Sequence, residues 1–388
     1  MPGYFDSPYP PAKLQFTANH TVALKGSSLT AIDAIRTLSR HNGKFFKDKT
    51  EQLCYKRNAE SPKFKIIMHS RSGLLPSIRF HLEDPHLGTR SMLTKKEIDK
   101  HIKGNGGFLS LDFLFEQNFK KILVERDPEI YGTIAHMKLE EFTDLMMTYR
   151  EHKPPFTLFK EEYDAAGKSI EKKKSIYWKE LLAILSFSLN YPAKYLAAED
   201  MIRLQKSLMP LISLIIAFVP QSSASEILAL RRAGALEIVS VGDDSEVLEN
   251  NDGGITYRYT DENGVQSEQF ETFVDCVGQP HLSYDSFQFR GLCNGTVSAA
   301  SLVFRSKEEA QKQIKNDNDK VFEQDNEYFL SVPGITINND FQVIGKNGKE
   351  NKRIFIMAVP YIGGYNPDYS GLDFCEEASR RISKAILE

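Results

Sequence analysis

An α/β fold, in which a domain of strands and helices is interrupted by a large helical insertion, is what three features of the 388-residue sequence predict. A short apolar run, Thr21–Lys25, passes through Gly26-Ser27-Ser28 directly into a helical pattern. From about residue 92 to 234 the apolar spacing is helical almost throughout. After residue 235 short strand patterns return, separated by hairpin turns. The length suits two or three domains rather than one core.

The first twenty residues carry four prolines and no periodicity, which predicts a linker over 1–20. Thr21–Lys25 reads as a strand, and Leu29–Arg40 as a helix with Leu29, Ile32, Ile35 and Leu38 at helical spacing. Gly43–Pro62 is polar and Lys-rich, an insertion or surface excursion, and Phe64–His69 is a second strand. Residues 21–91 and 235–290 are expected to form one domain around the insertion of 92–234. Within that insertion the expected helices are Thr94–Ile102, Leu111–Val124, Lys138–Tyr149, Ser175–Leu189, Glu199–Val219 and Ser223–Gly234. Thr94 with Glu97 makes a capping box, and Gly234 a stop. The expected later strands are Glu237–Val241, Ile255–Tyr259, Gln266–Thr272 and Phe273–Val277, turned by Asp252-Gly253-Gly254 and Glu262-Asn263-Gly264. The carboxy-terminal part, 291–388, offers a charged helix with a polar loop at Lys307–Asn326, strands at Phe341–Ile344 and Arg353–Ala358, and a last helix at Asp373–Leu387.

Composition removes several function classes. Hydrophobic residues are 41% and charged residues 26%, so the chain folds. The 49 Lys+Arg against 52 Asp+Glu leave a net charge of −3, which does not favour nucleic acid as the main partner. Cys54, Cys276, Cys293 and Cys375 are far apart, without metal or redox spacing, and suit a reducing compartment. The amino terminus lacks the pattern of a signal peptide. The most apolar stretch, Leu208–Pro220, is broken by Pro210 and Ser213 and falls short of the ~20 residues a membrane span needs. A soluble cytoplasmic protein is expected.

The strongest chemical signal is the strand–turn–helix at His20–Leu38. Gly26 permits a tight turn, Ser27 and Ser28 bring hydroxyls, and the backbone from Ser27 to Thr30 brings N–H groups to a helix start that favours a pyrophosphate. Ala31 stands where a third glycine lets helix and strand pack, while Ser28 replaces the second glycine of the dinucleotide fingerprint. The same residues also suit an ordinary strand–helix turn with Ser28 as N-cap. Arg71 and Ser72 follow the second strand, where an arginine accommodates a 2′-phosphate and an acid binds the ribose hydroxyl. No carboxylate follows that strand directly, so NADP is expected over NAD. The spacing from Gly26 is 71 − 26 = 45 residues, against about 20 in the usual unit, and Gly43–Pro62 has to account for the excess. Two weaker signals are Gly278, closing Thr272–Pro280, and the loop after Arg353–Ala358, where Gly363, Gly364 and Gly371 allow close backbone approach and Asp373 opens a helix.

Together these stretches resemble the FAD/NAD(P) flavoproteins with two dinucleotide-binding domains, and especially a bacterial FAD-NAD(P)-binding family. They are more distantly similar to flavin-containing monooxygenases and to the N-hydroxylases of ornithine and lysine. Gly26–Ala31 resembles the NADP fingerprint, Asp275–Gly278 the return-strand motif, and Ile354–Gly364 the last strand and loop of the FAD domain. The likeness covers both ends of the chain better than the helical middle. It implies a Rossmann-like NAD(P)-binding domain, a partial FAD-type second half, and NADP and FAD as cofactors. Two departures stand out. No FAD fingerprint precedes Gly3–Pro10, and the last strand ends Ala358-Val359-Pro360 where the wider superfamily has Gly-Asp. The expectation is thus the carboxy-terminal two-thirds of a flavoprotein, or a form that has lost its flavin half.

The implied activity is hydride transfer from NADPH to flavin and on to oxygen or a small substrate; the alternative is a non-catalytic NAD(P)-binding or scaffold protein. No residue is singled out as a general acid or base. His81 and His86 are separated by Pro85, which precludes a shared helical face, so no metal is expected. Lys172-Lys173-Lys174 reads as a solvated helix start rather than a nucleic-acid patch, Ser370 lacks a nucleophile elbow, and Cys375 has no partner cysteine nearby.

Overall fold

The computed structural model describes residues 3–83, 93–251, 253–278, 280–368 and 371–388. The chain is a mixed α/β protein of two compact units: Met1–Glu83, Thr143–Ile176 and Leu211–Gly278 form the first, and Asp84–Phe142, Tyr177–Pro210 and Gln279–Glu388 the second.

The first unit is built on a five-stranded sheet whose strands run, in spatial order, Gly3–Phe5, Thr272–Asp275, Thr21–Lys25, Lys65–Ser70 and Leu236–Ser240, every pair parallel. Both faces are covered, which explains why the central strands are continuous apolar runs. Val22, Leu24, Ile66 and Met68 pack under helices Leu29–Asn42 and Gln221–Arg232. Ala23, Ile67 and Phe273 point the other way, against a three-stranded antiparallel meander of Glu246–Glu249, Ile255–Asp261 and Gly264–Phe270.

Three features of this unit differ from the sequence expectation. Gly3–Phe5, inside the expected linker, is an edge strand, because its backbone pairs with Thr272–Val274. Gly43–Pro62, expected as an insertion or surface excursion with no strand assigned to it, contains a β-hairpin, Gly43–Lys47 with Leu53–Arg57. It is anchored by Tyr55, whose hydroxyl donates to Ser39 O, and by Arg57, which donates to the carbonyls of Phe64, Ala233 and Gly234. The expected insertion of 92–234 does not stay together. Helix Pro155–Lys172, which the apolar pattern did not reveal, brings Phe159 and Ala166 into the sheet's own core.

The second unit begins with helix Lys95–Gly104, whose Thr94–Glu97 capping box is formed as expected. A continuous helical run follows, Leu111–Phe115, a π turn at Glu116–Lys120, then Lys121–Arg126. Arg203 ties the helices by donating to Asp112, Glu140 and Asp200. A three-stranded antiparallel sheet places Glu327–Ile335 between Ala299–Val303 and Val321–Gln324. Gln342–Ile344 pairs with Glu350–Phe355, and helix Gly371–Leu387 ends the chain. No helix among the described residues is long and apolar enough to cross a membrane. His86, Asp252 and Ser370 lie outside the described residues.

Candidate functional site

The carboxyl ends of the parallel strands bring together most of the residues the sequence singled out. Strand order reverses between Thr21–Lys25 and Thr272–Asp275, because the chain leaves the first strand toward one edge and returns on its other side. A crevice outside such a reversal is where open α/β sheets bind ligands.

Gly26 stands at this point with φ +108°, a conformation that favours glycine, and its N–H donates to His69 O at 2.7 Å. A Cβ there would lie 3.1 Å from Cys276 O, so the turn and the return strand pack backbone to backbone. Ser27 is committed to the protein, its hydroxyl donating to Leu74 O at 2.7 Å. Ser28 is the N-cap of helix Leu29–Asn42 but makes no side-chain capping bond. The first-turn amides of Leu29, Thr30 and Ala31 therefore receive no capping side chain from Ser28, and the helix dipole makes that end attractive to an anion. Leu29 is 41% exposed, so its contribution to a ligand is its backbone. Ala31 is fully buried in the core beneath the sheet, as close helix–strand packing requires.

Arg71 and Ser72 lie on the next strand's exit, in the loop that Ser27 holds through Leu74. The Arg71 side chain is 84% exposed and faces Asp243 at 3.5 Å. Asp243 is a site residue that reading the second strand alone missed: it follows the third strand, and parallel pairing of Ser70 with Ser240 brings it alongside. Gly242 N and the Ser240 hydroxyl both donate to Arg71 O, tying the two strand ends. Gly278 is exposed just past the return strand, with nothing within 4 Å of where a Cβ would stand.

The other predicted residues belong to the second unit. Gly363 and Gly364 are buried, and their Cα faces are filled by the protein itself. A Cβ on Gly363 would enter the His281 ring, and one on Gly364 would meet Pro333 O and Val332. These two glycines serve internal packing and do not fit an open cradle for a flavin. Gly371 begins the last helix, and Asp373 lies in its first turn.

The second unit also holds groups that composition could not flag. Desolvation raises Asp368 to a pKa of about 6, partly offset by the Ser186 hydroxyl, which donates to it at 2.5 Å. Burial lowers Lys194 to about 8, and its Nζ donates to Asn339 Oδ1. Asn190 brackets Asp368 by donating to its carbonyl and accepting from its N–H.

Comparison with known proteins adds a relationship but no reaction. Over an alignment of 392 positions that covers 99% of the chain, it is 23% identical to the uncharacterized protein YdhS of Escherichia coli (strain K12), and it spans 65% of that protein's length. Residues 94–216, the part where the flavoprotein likeness is weakest, match the YdhS-like middle domain.

Proposed function

We propose that the parallel-sheet unit is a Rossmann-like domain that binds NADP(H), and that the chain acts in an FAD/NAD(P)-dependent oxidoreductase of the cytoplasm. The observation that carries this reading is the turn Gly26–Leu29. A left-handed glycine leads into a helix start without a side-chain cap, at the reversal of strand order. The hairpin within Gly43–Pro62 supports it by accounting for the long spacing from Gly26 to Arg71. The chemistry supplied by the two cofactors together is hydride transfer from the reduced nicotinamide and onward reduction of oxygen or a small substrate. This chain's part is to hold the pyrophosphate at Ser28–Ala31 and the adenosine ribose near Arg71.

The packed faces of Gly363 and Gly364 favour a second reading, a nucleotide-binding protein that does not itself hold flavin. Calorimetric titration of the purified chain with NADPH tests the shared premise, and absence of binding overturns both readings. A yellow preparation that bleaches with NADPH supports the oxidoreductase; a colourless one that binds NADPH without turnover supports the second reading.

A further inference from the structure

A cavity of about 550 Å³ is lined wholly by residues of the second unit, none of them among those assigned above to the nucleotide. Its lining includes Leu93, Ile98, Phe187 and Pro192, which offer an apolar surface. Asn118 also lines it, and the helix that carries Asn118 is distorted there: the π turn Glu116–Lys120 interrupts the α pattern of Leu111–Arg126. Single π turns inside helices occur frequently at functional sites because they re-aim one side chain.

Asn118 is 1% exposed, and its two amide atoms fare differently. Oδ1 accepts from Leu93 N at 3.3 Å, whereas Nδ2 has no hydrogen-bond partner among the described residues. A buried amide donor left unsatisfied costs about 1–3 kcal/mol, and an acceptor that reaches it from the cavity Asn118 lines would recover that cost. The backbone repeats the message at Tyr191, another lining residue, which is held at φ +71° by its N–H donating to Asn366 Oδ1.

The rim limits the ligand's charge. Lys95 and Arg380 are matched by Asp99 and Glu376. Glu377 accepts from both Arg380 and Arg381, and Arg381 lies over the Tyr191 ring at 3.6 Å. No excess of either sign remains to select an ion.

We propose that this cavity binds a small uncharged carbonyl compound with an apolar body, its oxygen accepting from Asn118 Nδ2. The inference stands apart from the nucleotide reading, since neither the residues nor the ligand are shared.

The probes are acetophenone, which only accepts hydrogen bonds, and benzylamine, which is a cationic donor of similar size. Ligand-observed NMR titration gives their affinities for wild type and Asn118→Asp, a variant of the same shape that keeps the acceptor for Leu93 N. Acetophenone should bind wild type saturably and Asn118→Asp about tenfold more weakly, while benzylamine gains in the variant. A reversal of preference cannot come from misfolding. Hydrogen exchange on wild type should show acetophenone protecting 116–121 and 187–195. Absence of saturable acetophenone binding, unchanged preference in the variant, or protection confined to other segments overturns the proposal.

Discussion

Arg71 and Asp243 face each other at 3.5 Å from the ends of adjacent parallel strands, both side chains more than four-fifths exposed. An exposed pair of this kind is weak and easily opened. A 2′-phosphate therefore competes for Arg71 with a carboxylate, whereas a ribose hydroxyl gains Asp243 as an acceptor. The expected NADP preference is about tenfold, and Asp243→Asn should enlarge it by removing a like charge. Arg71→Ala should abolish it with little change for NAD. Dissociation constants of both nucleotides for the three proteins decide this; equal affinities in wild type would show that Arg71 does not reach the ribose.

Gly26 and Ser28 should respond in opposite directions. Gly26→Ala forces a side chain to φ +108° and places Cβ 3.1 Å from Cys276 O, so both stability and NADPH affinity should fall. Ser28→Gly costs a few tenths of a kcal/mol at most at an N-cap and clears the backbone's approach to the pyrophosphate. Its affinity should rise severalfold while its melting temperature barely moves. Loss of affinity in Ser28→Gly would instead assign the hydroxyl a direct role.

Legibility followed how local each feature is. Val22–Leu24 and Ile66–Met68 are recognisable strands because a sheet covered on both faces demands apolar residues on both sides. Gly3–Phe5 is a strand only through its partner, and three residues carry no period. Helix Pro155–Lys172 was absent from the expected helices although its opening proline suits a helix, since proline is favoured in the first turn. The strand Glu327–Ile335 was not among the expected strands either; it carries Pro333 and Gly334, residues that a middle strand rarely holds, at a stretch where its pairing with Ala299–Val303 shifts register. At the site, Gly26–Ala31 was readable as one contiguous strand–turn–helix. Asp243 was not, since its place beside Arg71 depends on the pairing of strands 170 residues apart (240 − 70), and Asn118 depends on a π turn that 3.6-residue periodicity cannot register.

Gly363→Ala tests whether the carboxy-terminal glycines pack or bind. The added methyl has to displace the His281 ring, an overpacking that should cost about 2 kcal/mol. Chemical denaturation should show the loss, and NADPH affinity should stay at its wild-type value. A stable variant with weakened cofactor binding would contradict the packing role.

His69 should make the first unit sensitive to acid. It is 1% exposed, stacks on Tyr257 at 4.2 Å, and lies with Nδ1 3.2 Å from Leu24 O, the geometry of a donated bond. Nε2 has no hydrogen-bond partner among the described residues, so a second proton there would be a buried, unsatisfied charge; desolvation lowers the pKa from 6.5 to about 4. Between those values the unfolded chain binds a proton that the folded one refuses. Stability from this group is thus complete above pH 6.5 and is lost as pH falls toward 4, by roughly 2–3 kcal/mol. His69→Phe keeps the stack and should flatten that part of the stability–pH curve. A curve unchanged in the variant would show that His69 is solvated.

Asp368 should act with the opposite sign over nearly the same range. Its carboxyl rises from 3.8 to about 6, chiefly through desolvation, with the Ser186 hydroxyl opposing. Here the folded chain holds a proton that the unfolded one has released. The second unit is therefore penalised progressively as pH climbs from about 4 to 6, and above 6 it carries the full cost of an ionised, desolvated carboxylate. That cost is roughly 2–3 kcal/mol at pH 7. Asp368→Asn has the same shape, and its amide oxygen can still accept from Ser186, so it should be more stable than wild type at pH 7 and indistinguishable from it near pH 4. Urea denaturation at the two pH values measures the difference directly. A variant destabilised at pH 7 would mean that the charge itself is needed, held by a cation or a ligand at this position, and would reassign Asp368 from a burdened structural acid to a binding group.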